Sequence, residues 1–83
     1  MNQRVVFTSG GVEVSRDARN CEITRRDNEL RIAPEWAHNY WPIDYESEKE
    51  ARQAFNLVNG LLAGGNPVVY VPGPGFMKES KED

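Results

Sequence analysis

The sequence predicts a two-layer α+β domain, in which an antiparallel sheet of two hairpins and a short strand packs on one helix from the C-terminal half. Two segments place their apolar residues on one face when folded about a tight turn, an S-x-x-E helix start precedes an apolar stripe at helical spacing, and two prolines bracket a β-branched run near the end. At 83 residues, 39% apolar and 28% charged, the chain has the size and composition of one folded domain and no membrane span. We expect a single domain over 1–72 and a flexible tail over 73–83.

Gly10-Gly11 supplies the positive-φ residues of a two-residue primed turn between Arg4–Ser9 and Val12–Asp17. Folding about it sets Ser9 opposite Val12, Phe7 opposite Val14 and Val5 opposite Arg16, with Val5, Phe7, Val12 and Val14 on one face. The polar stretch Asp17–Asn20 then leads to a second hairpin, Cys21–Arg26 and Glu29–Ala33, turning at Asp27-Asn28. There Ile23 faces Ile32 and Arg25 faces Leu30, while the other side pairs Thr24 with Arg31 and Arg26 with Glu29, the last as a cross-strand ion pair.

Pro34 cannot donate to a ladder, so Pro34–Pro42 reads as a loop, followed by a short strand in which Ile43 and Tyr45 alternate with Asp44 and Glu46. Ser47 and Glu50 have the spacing of a capping box, and Ala51, Ala54, Phe55, Val58, Leu61 and Leu62 form the apolar stripe of a helix that Gly64-Gly65 ends. Val68–Val71, between Pro67 and Pro72, reads as a final edge strand. The expected core is Val5, Phe7, Val12, Val14, Ile23, Leu30, Ile32, Ile43, Ala51, Phe55, Val58 and Leu62.

Chemistry is sparse. Ten basic against thirteen acidic residues give a net charge of −3, which argues against non-specific binding to nucleic acid or anionic lipid. One Cys and one His, without C-x-x-C or H-x-x-x-H spacing, offer no metal set, and no nucleophile elbow or phosphate-binding glycine pattern is present. We therefore expect no catalytic residues, no metal and no cofactor. Cys21 reads as a small buried hydrophobe on the apolar face of its strand, and the N-terminus lacks the apolar stretch of a secretory signal, so a cytoplasmic protein is expected.

Four of the eight aromatic residues lie between 36 and 45. Trp36, Tyr40 and Trp41 have the character of interface anchors, with His38 among them and Glu35, Asp44 and Glu46 as an acidic rim suited to a basic partner. The competing reading has Trp36 and Trp41 folding back to cap the open end of the core. The expected function is a non-catalytic protein-binding module, an inhibitor or adaptor of a larger protein, acting through this loop. Short acidic α+β domains with that role occur among accessory and phage-encoded proteins, although no motif here names a family.

Two alternatives stand beside it. His38 with Glu35 or Asp44 would serve a small ligand binder or enzyme, and Arg16, Arg19, Arg25, Arg26 and Arg31 around the second hairpin would serve a weak nucleic-acid binder. Against the latter, the outer sheet face carries no aromatic on which a base could stack. Finally, Val68–Val71 is apolar on both faces, so a homodimer is expected to form by face packing of Val69 or Tyr70 if loop or tail leaves its second face open.

Overall fold

A computed structural model describes residues 2–34 and 39–76. Among them the strands are β1 (Arg4–Ser9), β2 (Val12–Asp17), β3 (Cys21–Arg26), β4 (Glu29–Pro34), β5 (Trp41–Asp44) and β6 (Val68–Tyr70), with the helix α1 (Glu48–Ala63) between the last two. The class is α+β, and the six strands form two three-stranded sheets, ordered β2-β1-β6 and β3-β4-β5, packed with one helix. The single expected sheet is thus divided. The division falls at a 3-10 turn over Ala18–Asn20, where the Asp17 carboxylate accepts from the Arg19 amide at 3.0 Å and the Ala18 amide donates to the Gln3 carbonyl at 2.8 Å. These bonds turn the chain out of the first sheet before β3 begins.

Both hairpins have the registers that alternation demands. Phe7 faces Val14 and Val5 faces Arg16 in the first; Ile23 faces Ile32 and Arg25 faces Leu30 in the second. Gly10 and Gly11, with φ of 61° and 81°, make the primed turn that brings β1 and β2 into line. Arg26 also faces Glu29, but the expected ion pair across that position is replaced: the Glu29 carboxylate accepts from Arg31, two residues along the same face of β4.

The third strand of the second sheet departs from expectation in its bounds, whereas β6 is the expected edge strand of the first. β4 continues through Pro34, and β5 begins at Trp41 and ends at Asp44, so Trp41 belongs to a ladder instead of the loop. Tyr45 lies just beyond β5, clamped by two bonds: its amide donates to the Asn28 carbonyl, and the Asn28 side-chain amide donates back, each at 2.9 Å. β6 runs parallel to β1, with Val69 beside Val5 and Tyr70 beside Val6.

At the helix start Ser47 Oγ accepts from the Glu50 amide at 3.1 Å, as the capping box requires. The reciprocal bond shifts by one residue, because Glu50 Oε1 accepts from the Glu46 amide. At the other end Gly65 adopts φ +79°, its amide bonding Leu62 and the Asn66 amide bonding Leu61, which is the two-bond closure of a left-handed helix end. Ala51, Ala54 and Val58 form the buried line of α1, which lies against β3 and β4 of one sheet and β6 of the other.

The core consists of Val5, Phe7, Leu30, Ile32, Ile43, Tyr45, Ala51, Ala54, Val58, Val69 and Val71, with Val14, Ile23, Phe55 and Leu62 partly buried against it. Val12 does not belong there: it is 61% exposed, because it sits at the free tip of the hairpin, beyond the reach of α1 and the second sheet. Tyr45, Val69 and Val71 are buried instead. Of the expected tail, Gly75 donates to Glu50 and the Phe76 ring meets Tyr45, while residues 77–83 lie outside the described segments. We predict that Phe7→Ala costs about 3–5 kcal/mol in chemical denaturation, the range for a buried Phe, whereas Val12→Ser stays within about 0.5 kcal/mol.

Candidate functional site

Glu35, Trp36 and His38 lie outside the described residues. The remaining residues of the predicted aromatic site separate into two environments. Trp41 opens β5 with its side chain half-buried toward the first sheet, its ring 5.5 Å from that of Phe7 at a tilt of 57° and the Arg16 guanidinium 5.0 Å from its centroid. Trp41 is thus a strand residue in contact with the first sheet, not part of the loop. Ser9 Oγ reinforces the same junction by donating to the Pro42 carbonyl at 3.0 Å.

Tyr40, one residue earlier, points the other way. It is 41% exposed, and the Arg31 guanidinium lies 4.6 Å from its ring centroid. Arg31 is in turn held by the Glu29 carboxylate, a hydrogen bond that raises its pKa still further above the usual arginine value and keeps the cation in place. The Glu29–Arg31–Tyr40 chain thus fixes an aromatic ring on the outer face of the second sheet. Pro42 and Asp44, both exposed, continue that face along β5, with Pro42 opposite Arg31 and Asp44 opposite Glu29. Of the expected site, Tyr40 and Asp44 share one surface and Trp41 serves another.

The arginines of the second hairpin do not form a common patch. Arg25 turns toward the helix, donating to the Asp27 carbonyl at 2.9 Å and pairing with Glu48 at 3.5 Å. Arg19 pairs with Asp17, whose carboxyl is held below its ordinary value chiefly by the Arg19 amide and then by its guanidinium. With Arg16 over Trp41 and Arg31 over Tyr40, most of these cations are committed to neighbours.

The other titratable group of note is Glu50, a carboxylate only 5% exposed that sequence alone assigns to a helix cap. Its Oε1 accepts from the Glu46 amide and its Oε2 from the Gly75 amide, both at 2.9 Å. Gly75 reaches it with φ +86°, a conformation a side chain would strain. Beside it the buried Tyr45 hydroxyl donates to the Pro72 carbonyl, and the Tyr45 and Phe76 rings meet edge to face at 6.3 Å. Burial, and secondarily the Glu50 charge, push the Tyr45 phenol well above its ordinary value of 10.0. Both oxygens of Glu50 are engaged by backbone amides, so this cluster secures the chain.

Cys21 is half-buried, and burial pushes its thiol upward, away from the reactive thiolate. Among the described residues no three His, Cys, Asp or Glu side chains converge, and no helix is long and apolar enough to cross a membrane. An open depression of about 300 Å³ is lined by Asn2, Gln3, Gly65 and Pro67, none of them a candidate residue. Comparisons with protein-family models, curated proteins and solved structures find no match to this chain.

Two outcomes follow from this geometry. Trp41→Ala should lower stability by about 2 kcal/mol or more, visible as a drop in Tm, because it removes a ring packed between the sheets. Phenolate absorbance should show Tyr45 ionising well above the ordinary tyrosine value on an alkaline titration. Since its folded pKa exceeds the unfolded one, the associated stability is intact below the unfolded value and is lost as pH rises through the folded value, and Tyr45→Phe should flatten that dependence.

Proposed function

We propose that this chain is a small non-catalytic binding module, an inhibitor or adaptor that engages a larger protein through the outer face of the β3-β4-β5 sheet. The observation that carries the reading is Tyr40, an exposed ring whose freedom is reduced by contact with the Arg31 guanidinium, 4.6 Å from its centroid. An aromatic side chain restrained before binding loses less entropy when a partner covers it, and Tyr and Arg are the residue types that dominate interface energetics. Pro42 adds an apolar neighbour and Asp44 an acidic edge, which together favour a partner with an apolar pocket flanked by a basic group. Cys21, a free half-buried thiol, is compatible with a reducing, cytoplasmic setting.

The test is retention of a partner from native extract by immobilised protein, followed by titration of the purified complex. Tyr40→Ala should weaken binding by about 2 kcal/mol, and Arg31→Ala by about 1 kcal/mol or more through loss of the ring's support, with Tm almost unchanged for Tyr40→Ala. Equal affinity of wild type and Tyr40→Ala would exclude this face as the contact.

A further inference from the structure

Each sheet has two edges, and three of the four edge strands are guarded. On β2 the Ser15 carbonyl accepts from Arg16 at 3.0 Å and from Arg4 at 3.4 Å, so guanidinium groups occupy that edge. β3 carries the charged side chains Glu22, Arg25 and Arg26, which discourage pairing along its edge. β5 contains Pro42, whose carbonyl is taken by Ser9 from the first sheet. β6 differs: among the described residues it pairs with β1 alone.

The ladder shows which groups of β6 remain open. The Arg4 amide donates to the Pro67 carbonyl and the Val71 amide to the Val6 carbonyl, so the odd-numbered residues face β1. The amides and carbonyls of Val68 and Tyr70 therefore face away from it. Their side chains stand on the outer face, 42% and 66% exposed and uncharged, while Val69 is fully buried and cannot supply the face packing expected of it.

We infer that β6 pairs antiparallel with β6 of a second copy of this chain, about a two-fold axis at Val69. In that register Val68 of one copy lies opposite Tyr70 of the other, and each of the two pairs exchanges two backbone hydrogen bonds. None of these bonds requires an amide from Pro67 or Pro72. The next pair outward, Asn66 with Pro72, lacks the proline donor, so the prolines stop the pairing at three residues and set its register.

The strand is self-complementary, as a two-fold interface demands. Aromatic–β-branched pairs meet across it, and Arg4, beside Val68, shares its cross-strand row with Val6 of the second copy instead of another Arg4. The result is a six-stranded sheet spanning two copies. Contact over three residues is smaller than a permanent interface, so dimerisation belongs at high protein concentration.

The inference is tested by sedimentation equilibrium, with hydrogen exchange on the full chain. Wild type should reach a substantial dimer fraction within the range up to about 1 mM, with protection of the Val68 and Tyr70 amides rising in step. Val68→Lys and Tyr70→Glu should each weaken self-association by about tenfold, while their equimolar mixture, which sets the new cation opposite the new anion, should associate about tenfold more tightly than either alone. Both side chains are exposed, and circular dichroism checks that the variants fold. A wild type monomeric throughout that range, a mixture no tighter than its components, or amide protection independent of concentration would each overturn the pairing, the last because the chain itself then covers the edge.

Discussion

One buried carboxylate joins segments that are otherwise far apart in this chain. Glu50 lies in the first turn of α1, where the helix field favours an anion, and its two oxygens take amide protons from Glu46 before the helix and Gly75 near the far end of the described chain. With the Tyr45 hydroxyl on the Pro72 carbonyl, these bonds fix where the helix begins and draw the segment after β6 back across it. β6 itself is held beside β1 by its ladder, from Arg4 N–H on the Pro67 carbonyl to Val71 N–H on the Val6 carbonyl. Burying a charge this deeply is tolerable because every acceptor is engaged by a backbone donor.

The two sheets hold together by a division of labour between large and small side chains. Trp41 and Phe7 span the junction, with Arg16 over the outer surface of the indole. On the opposite side Ala51, Ala54 and Val58 let α1 approach strands of both sheets closely. A domain of this size has little apolar area to spare, and this arrangement places each strand in contact with either a ring or the helix. It also explains why one tryptophan belongs to the architecture while Tyr40, its neighbour, remains outside and is held by Arg31.

The surface follows from the same economy. Among the described residues several arginines have local partners, covering the indole, the β2 edge and the Tyr40 ring. Among the described residues the exposed large apolar side chains include Tyr40 on the second sheet and Val68 and Tyr70 on the edge strand of the first. The face proposed for a partner and the edge proposed for self-pairing lie on different sheets and would use different chemistry, side-chain contact in one case and backbone hydrogen bonding in the other.

Local signals were legible because they act over a few residues. Gly10-Gly11 and Asp27-Asn28 set the hairpin registers, since a slip of one residue would invert each apolar face. Ser47 and Gly65 marked the helix ends. The candidate surface was legible only in kind: the aromatic cluster drew attention, but residue type could not distinguish Tyr40, facing solvent, from Trp41, facing Phe7. Likewise a proline-bracketed strand could be recognised, yet not its parallel place beside β1, and Val12 could alternate correctly and still lie beyond the core. These outcomes depend on contacts between segments tens of residues apart, whose registers are decided by which pairings bury Val69, Tyr45 and Glu50 together, and no local preference encodes that choice.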